Sequence, residues 1–215
     1  MSTPSPQTII EQLQKWGACD VADGLSKLNH PNGGFLEGLT MYSPDFQAGE
    51  TKLIGQAFTV KFVPKSDVGA PKVSGNYIDK TPPSSVVFIS QPPPQVNAVY
   101  GGLMTLRAQK LGAAGVIIDG RLFAKSVGTT AGGEVCRPSE VNVPVRLHSS
   151  DQPNAWVRPG DYLIADLNGV VCLPQEMAEQ VLDLIPGIAA ADEKCAEGIR
   201  AGRSVEEVFR EFRGR

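Results

Sequence analysis

The sequence predicts a single α/β domain over residues 1–215, in which strands outnumber the helices between them. Short β-rich runs alternate with glycine and proline turns through the middle of the chain. A glycine-led helical segment separates two buried strand patterns, at 86–90 and 116–118, and helical patterns occupy both ends. A chain of this length can bury a sizeable core. The surplus of strands argues against a plain doubly wound sheet.

The first quarter of the chain is predicted to be helical and then irregular. Residues 8–16 place apolar side chains on one helix face, and Asp20 is suited to cap a second helix that ends near Leu28. Glycine and proline then interrupt residues 30–45, which favours a loop. The β-rich run at 53–63 is predicted to be the first long strand.

The middle of the chain is predicted to contain an irregular excursion, a buried strand and the glycine-led helix. Residues 64–84 form an excursion rich in proline and glycine, and residues 86–90 a short buried strand. The run Gln91-Pro-Pro-Pro-Gln95 is expected to be an extended surface connection to the glycine-led helix. That helix carries apolar side chains at helical spacing and ends at Gly112.

The last part of the chain is predicted to complete the sheet and to end in helices. Four short strands are expected, at 122–127, 144–147, 162–165 and 170–173. Arg158-Pro-Gly-Asp161 and Leu167-Asn-Gly169 are turn sequences between them. From Gln175 the pattern is helical with an interruption at Pro186-Gly187, and a final helix is expected over 204–212.

The glycine-led helix and the strand after it predict a site for an oxo-acid. Backbone amides at a helix N-terminus attract anions, and the strand ends in Asp119-Gly120-Arg121, which brings a carboxylate and a guanidinium beside them. The alternative is that the glycines only let the helix pack closely on the sheet. The predicted anion-binding amides are those of Gly101, Gly102, Leu103 and Met104.

The same stretch resembles the family of the regulator of ribonuclease activity A (RraA). This family also contains 4-hydroxy-4-methyl-2-oxoglutarate aldolases and oxaloacetate decarboxylases. The resemblance is carried by Tyr100-Gly-Gly-Leu-Met, by Gly115-Val-Ile-Ile-Asp-Gly-Arg121, and by motifs in the expected order along nearly the whole chain. It is closest to fungal-type members. Further matches are Cys19-Asp-Val-Ala-Asp-Gly-Leu25, Gly33-Gly34-Phe35, Asn76-Tyr-Ile-Asp79 and Arg158-Pro-Gly-Asp161.

The resemblance implies a layered β/β/α swivelling domain with flanking N- and C-terminal helices. It also implies a homotrimer, or a hexamer built from trimers, with active sites at subunit boundaries. An acidic side chain from the neighbour's C-terminal region would complete each site, and Asp192, Glu193 and Glu197 are the candidates here. The substrate implied is a small-molecule carboxylate.

The chain departs from the family at the motif that carries the chemistry. Members with lyase activity continue the strand as Gly-x-x-Arg-Asp, whose Arg holds the oxo-acid and whose Asp helps to bind a divalent metal. Here Phe123 and Ala124 stand at those two positions in an ungapped comparison. In a second comparison, residues 122–128 match the strand beyond the loop, and a loop has been lost after Arg121. In both, the Arg-Asp pair is absent.

Two residues remain as replacements for the lost pair. Asp119 is the nearby candidate for a Mg²⁺ or Mn²⁺ ligand, since these ions prefer oxygen donors. Arg121 lies two residues further, on the same strand face, and is a candidate to hold the substrate. The alternatives are a turn-forming or capping carboxylate for Asp119 and a solvated surface arginine for Arg121.

Composition, charge and sequence pattern argue against a nucleic-acid-binding, a membrane-spanning and a secreted protein. The net charge of −3 gives no electrostatic footprint for nucleic acid, and no apolar run approaches the length of a membrane span. The N-terminus has no secretory pattern, and the four cysteines are scattered without a C-x-x-C pair. A cytoplasmic protein with reduced thiols is therefore expected.

Three functional hypotheses remain open at this point. The first is a lyase that cleaves or decarboxylates a small 2-oxo acid. The second is a repurposed, metal-independent enzyme that performs a cyclisation, dehydration or isomerisation on a larger substrate. The third is a non-catalytic regulator that binds a protein partner.

Overall fold

The computed structural model describes residues 4–95, 97–120, 133, 135–148, 152 and 155–214. Five helices are present in this part of the chain: α1 (Pro6–Leu13), α2 (Ala18–Lys27), α3 (Gly102–Lys110), α4 (Ala178–Arg200) and α5 (Val205–Phe212). The strands in it are β1 (Phe35–Leu36), β2 (Leu53–Pro64), β3 (Val86–Ser90), β4 (Gly115–Asp119), β5 (Cys136–Val141), β6 (Val145–Arg146), β7 (Trp156–Val157), β8 (Tyr162–Asp166) and β9 (Gly169–Leu173).

Strand β2 connects the two halves of the main sheet. Its beginning pairs antiparallel with β8, its middle parallel with β3, and its end antiparallel with β5. The strand order is β1-β9-β8-β2-β3-β4, with β5 joined to β2 off this path, while β6 and β7 form a separate pair. The parallel part consists of β2, β3 and β4, and Ser90 of β3 lies opposite Asp119 of β4. The carboxyl ends of β3 and β4 therefore meet at one edge.

The apolar side chains form two clusters on the two sides of β8 and β9. In one cluster, helices α1, α2 and α4 pack on the sheet through residues such as Leu13, Leu25 and Ile185. The other cluster lies around β3, whose five residues are all buried. It includes Ile118 of β4 and Ala108 of α3. Sheet and helices share both clusters, so the predicted α/β class with a surplus of strands is confirmed.

The helix predicted before the glycine turn is confirmed, although its apolar side chains are not buried as the periodicity suggests. Helix α3 ends before Gly112, which has φ +76°. Ala108 is the buried residue of this helix, whereas Leu103 and Leu106 are 78% and 64% exposed. The apolar pattern therefore marks a helix face that the described part of the chain leaves uncovered.

The predicted interruption at Pro186-Gly187 is wrong, because α4 is continuous through Pro186. A proline inside a helix removes one backbone hydrogen bond and costs about 3 kcal/mol. Upstream of it, Val181, Leu182 and Ile185 are buried in the core, and this packing holds the helix across the proline.

The remaining boundaries mostly agree with the pattern. Strands β3, β8 and β9, the turn at 158–161 and helix α5 lie where they are predicted. Strand β5 is not predicted from the sequence, because Arg137, Pro138 and Glu140 break its apolar alternation. The strand expected over 122–127 lies outside the described residues. No helix in the described part of the chain combines the length and apolar character of a bilayer span.

The turn at 158–161 contains a buried carboxylate that predicts a pH dependence of stability. Asp161 is 4% exposed and accepts hydrogen bonds from the amides of Arg158 and Gln175, at 2.8 and 3.4 Å. Burial raises its pKa above the ordinary value, more than these hydrogen bonds lower it. As the pH falls, the folded state therefore takes up this proton before the unfolded state does, so Asp161 adds stability on acidification.

Asp161→Asn should remove this dependence. We expect the stability of the wild type relative to the variant to rise as the pH falls from about 7 toward about 4. Urea denaturation across this range measures the difference, and Asp183→Asn on the exposed side of α4 is the control. A wild-type advantage that stays constant or shrinks on acidification would contradict the raised pKa.

Candidate functional site

The N-terminus of α3 presents backbone donors that the helix does not use. The first helical hydrogen bond runs from the Thr105 amide to the Gly101 carbonyl, at 3.0 Å, and no side chain caps the helix. The amides of Gly102, Leu103 and Met104 therefore precede the first intrahelical donor. Gly102 and Leu103 are exposed, so these amides lie at the surface. Three of the four predicted residues, Gly102, Leu103 and Met104, therefore carry helix N-terminal donors, while Gly101 is the N-cap. Anion binding by these amides stays a prediction.

The two glycines at this terminus are not explained by close packing. A Cβ added at Gly101 or Gly102 would meet no heavy atom of the described residues within 4 Å, and neither residue has a positive φ. By contrast, a Cβ at Gly115 would lie 2.7 Å from the Leu53 side chain. The alternative that the paired glycines serve helix-on-sheet packing therefore has no support in these contacts. They leave open space in front of the amides.

Asp119 lies at the end of β4 and is completely buried. Its Oδ2 accepts a hydrogen bond from the backbone amide of His148, so the carboxylate joins β4 to the segment after β6. The His148 side chain is exposed at the surface. Partial burial lowers its pKa, while the nearby Asp119 carboxylate acts in the opposite direction. This cross-link differs from the turn or cap considered as the alternative role of Asp119.

A group of buried amide side chains lines the same edge, and the sequence analysis missed it. Gln91 is completely buried rather than on a surface connection, and its Nε2 donates to the carbonyl and Oδ1 of Asn97, at 3.2 and 3.1 Å. Gln95 Nε2 donates to the Gln91 and Asp119 carbonyls, at 2.9 and 3.3 Å. The segment between β3 and α3 is thereby fixed to the end of β4.

The signal that would have identified these amides was their position after β3. Ligands bind outside the carboxyl ends of parallel strands, and Gln91 directly follows β3, a buried strand of four apolar residues and a serine. The proline run concealed this, because proline repeats are typical of exposed connections. In the structure, Pro93 and Pro94 are exposed while Gln91 turns inward.

Cys136 completes this buried group but is not suited to nucleophilic attack. Its Sγ lies 3.4 Å from Asn97 Nδ2. Burial raises the pKa of the thiol, and the hydrogen bond from Asn97 offsets this only in part. The protonated thiol is therefore the stable form at neutral pH, which agrees with the structural role predicted for the cysteines.

The other predicted site residues are Arg121 and the acidic residues of α4. Arg121 lies outside the described residues. Of the acids considered as a contribution to a neighbouring subunit, Asp192 forms an ion pair with Arg213 at 2.5 Å and Glu193 one with Arg200 at 3.1 Å. Both acids are thus partly neutralised within their own chain.

The residues that the structure describes do not make a preformed metal site. No cluster of three or more His, Cys, Asp or Glu side chains among them is arranged to hold a metal ion. Asp119 offers a single carboxylate, and one of its oxygens already accepts the His148 amide. An octahedral ion such as Mg²⁺ would have to retain most of its water ligands there.

Comparison with known proteins places the chain in a family. Residues 18–172 match the sequence model of the RraA-like family, described as Aldolase/RraA. Protein DlpA of Legionella pneumophila is 23% identical over 95% of this chain, and the uncharacterised protein MJ0644 of Methanocaldococcus jannaschii is 31% identical over 52% of it. The chain spans 34% and 57% of the lengths of these two relatives.

Solved structures agree at the level of the fold. An uncharacterised protein from Pseudomonas syringae has a TM-score of 0.73 at 23% identity, covering 96% of this chain and 99% of that protein. RraAS2 of Streptomyces coelicolor, described as an unusual member of the RNase ES inhibitor RraA family, has a TM-score of 0.69 at 19% identity, covering 94% and 100%. The predicted RraA-like type of fold is therefore confirmed.

Proposed function

The chain belongs to the RraA-like family, and on that premise we propose that it is a carbon–carbon lyase that acts on a small 2-oxo acid. The observation that carries the proposal is the open, uncapped N-terminus of α3, connected through Gln95 to the carboxyl end of β4. This arrangement offers a carboxylate site at the ligand-binding edge of the parallel strands.

In the proposed reaction the substrate carboxylate accepts hydrogen bonds from the amides of Gly102, Leu103 and Met104. These donors orient the 2-oxo group, because a carboxylate held by two or more amides has a fixed plane. The bond between C3 and C4 then breaks, and its electron pair passes to the enolate of pyruvate. In decarboxylation C4 leaves as CO2; in retro-aldol cleavage the C4 hydroxyl first gives its proton to water, and C4 leaves as a carbonyl compound. A proton added at C3 gives pyruvate.

The enolate oxygen requires a positive or hydrogen-bonding partner. From the sequence, Arg121 is the residue proposed for this role. A divalent ion would supply the same stabilisation if one binds, but the described donors do not form its site and no step is assigned to it. The buried amide of Gln91 and the half-buried amide of Gln95 hold the edge of the pocket in place, and neither is assigned a contact with the substrate.

Pyruvate formation from oxaloacetate tests the proposal. We expect turnover above the metal-only background, measured with and without Mg²⁺ or Mn²⁺. Arg121→Ala should lower kcat/KM by at least about tenfold, because a hydrogen bond to a charged group is worth about 1.5–3 kcal/mol. Arg200→Ala, which removes a surface ion pair on α4, is the matched control. No turnover above background at high enzyme concentration would refute the lyase.

A metal-independent enzyme acting on a different substrate is the second candidate. It is favoured by the missing Arg-Asp pair and by the donor set around Asp119, which lacks further metal ligands among the described residues. Such an enzyme would retain the helix N-terminal donors and dispense with the ion. A regulator that binds another protein remains the third possibility, and pyruvate formation separates it from the first.

We also propose that the protein is a homotrimer or a hexamer built from trimers. The exposed leucines of α3, Leu103 and Leu106, support this, since burying them against another copy would remove apolar surface from water. An interface at this helix would place the carboxylate site at a subunit boundary.

A further inference from the structure

A cavity of about 340 Å³ lies between α3 and the β8–β9 hairpin. The loop at 39–44 borders it, and so do residues 115–117 at the beginning of β4. Asp119 stands at the other end of that strand, about 10 Å from Val116 at about 3.3 Å per residue. The cavity therefore lies away from Asp119, although Tyr100 and Thr105 on its wall flank the α3 amides proposed to hold the carboxylate. Its size falls at the lower end of small-molecule pockets.

One wall of this cavity carries a buried hydroxyl without a partner. Tyr100 is 5% exposed, and within ordinary hydrogen-bond geometry its Oη has no partner among the described residues. Burial raises the pKa of this hydroxyl, and the adjacent Thr105 hydroxyl offsets this in part. The neighbouring Thr105 hydroxyl donates instead to the Gly101 carbonyl, at 3.3 Å. By comparison, the buried Tyr77 Oη donates to the Val99 carbonyl, at 3.2 Å. A buried polar atom without a partner is costly and rare, and here it belongs to a residue that lines a cavity.

The charged side chains described on the cavity wall already form hydrogen bonds within the protein. Of the described lining residues, only Lys52 and Asp166 are charged. Lys52 Nζ donates to the Leu13 and Gln14 carbonyls at the end of α1, at 3.3 and 2.9 Å. The Asp166 oxygens accept the amides of Ala18 and Asn168, both at 2.8 Å. An ionic ligand would have to compete with these contacts, so the wall favours a neutral one.

The rest of the lining is mainly apolar. Ala108, Ala113, Val116, Ile117 and Val170 contribute side chains that also pack against the larger apolar cluster. Half-buried or exposed polar side chains complete the lining: Thr40, Tyr42, Ser43, Thr51, Thr105 and Gln109. Among the described lining residues, Tyr100 is the buried hydrogen-bonding side chain, so it can fix the orientation of a compact apolar ligand.

We propose that this cavity binds a neutral, compact and largely apolar molecule with one hydrogen-bond-accepting oxygen, which takes the proton of the Tyr100 hydroxyl. The proposal does not rest on the lyase activity, because the carboxylate site at the N-terminus of α3 is not needed for it. It assigns a ligand site to the beginning of β4, at the end of the strand away from Asp119.

Titration with the neutral fluorescent ketone Prodan tests this site. We expect saturable binding with a blue-shifted emission, as the probe leaves water for an apolar wall. Tyr100→Phe should weaken binding about fivefold, the value of one ordinary hydrogen bond. 2-Dimethylaminonaphthalene lacks the ketone and should bind wild type and Tyr100→Phe equally well.

Two further variants make the test specific. Tyr162→Phe removes the hydroxyl of a buried tyrosine that belongs to the other apolar cluster and does not line the cavity, and it should leave the dissociation constant unchanged. Ala165→Leu adds volume at the cavity wall and should abolish binding; circular dichroism checks its folding. If it does not fold, the Tyr100→Phe comparison decides the matter alone, since it adds no atoms. Absence of saturable binding, or a Prodan affinity unaffected by Tyr100→Phe, would overturn the proposal.

Discussion

Gly102→Pro is expected to lower kcat/KM for the oxo acid by about tenfold to hundredfold while leaving the helix intact. Gly102 is the first residue of α3, where proline is well tolerated because its missing amide has no helical partner. The substitution therefore removes one donor from the proposed carboxylate site. A hydrogen bond to a charged group is worth about 1.5–3 kcal/mol, which sets the range of the loss.

The control for this variant is Gly102→Ala, which keeps the amide. A Cβ at this position meets nothing within 4 Å, so we expect near wild-type kinetics and a small change in stability. Pyruvate binding, measured by calorimetry, provides a second readout that does not depend on turnover. If Gly102→Pro binds pyruvate as tightly as Gly102→Ala does, the carboxylate is not held by the α3 amides.

Gly34→Ala is expected to destabilise the protein by about 3 kcal/mol. Gly34 has φ +71°, a conformation that costs an L-residue about 1–2 kcal/mol. Its added Cβ would also stand against the Cys172 carbonyl oxygen and 2.7 Å from Leu25 Cδ1, and such overpacking typically costs about 1–3 kcal/mol. For a domain of this size the melting temperature should fall by roughly 6–12 °C.

Gly75→Ala is the matched control for the steric part of this effect. Gly75 has φ +72°, nearly the same conformation, but an added Cβ there has no neighbour within 4 Å. We expect a loss of about 1–2 kcal/mol, which is the conformational cost alone. Thermal and urea denaturation of both variants measure the difference. Equal losses of stability in the two variants would mean that α2 and β9 can move aside for the added Cβ at Gly34 without an energetic penalty.

Much of the fold follows from local patterns in the sequence. The five-residue run at 86–90 is apolar throughout except for its last residue, and β3 occupies exactly those residues because both faces of that strand are covered. Helix α5 begins after Ser204, whose hydroxyl accepts the Glu207 amide while Glu207 reaches back to the Ser204 amide. That capping box is readable from the sequence alone.

The wrong prediction at Pro186 and the missed strand β5 have one physical cause. In both, packing against distant residues outweighs the local preference of the sequence. Pro186 breaks the helical pattern, but the buried residues before it hold α4 together. The alternation of β5 is hidden because Arg137 donates to the carbonyls of Asp67, Ala70 and Pro71 in an earlier loop. The spacing of apolar residues in the sequence does not reveal such long-range contacts.

The candidate site was predicted in part, from the residues that precede a helix or end a strand. The helix N-terminal amides and the strand-terminal position of Asp119 follow from the glycine-led pattern. The buried amides Gln91 and Asn97 do not, because their burial depends on how the connection folds back over β4. The roles of Asp119 and Arg121 in chemistry stay predictions.

The arrangement of β2 has a consequence for how the chain loses its structure. Ile54 near its start belongs to the cluster under α1, α2 and α4, while Phe58, Val60 and Phe62 belong to the cluster around β3. Detaching this strand from either partner sheet removes a wall from both clusters together. The two halves of the main sheet are therefore expected to unfold together as one cooperative unit, and neither half stays folded once the other has unfolded.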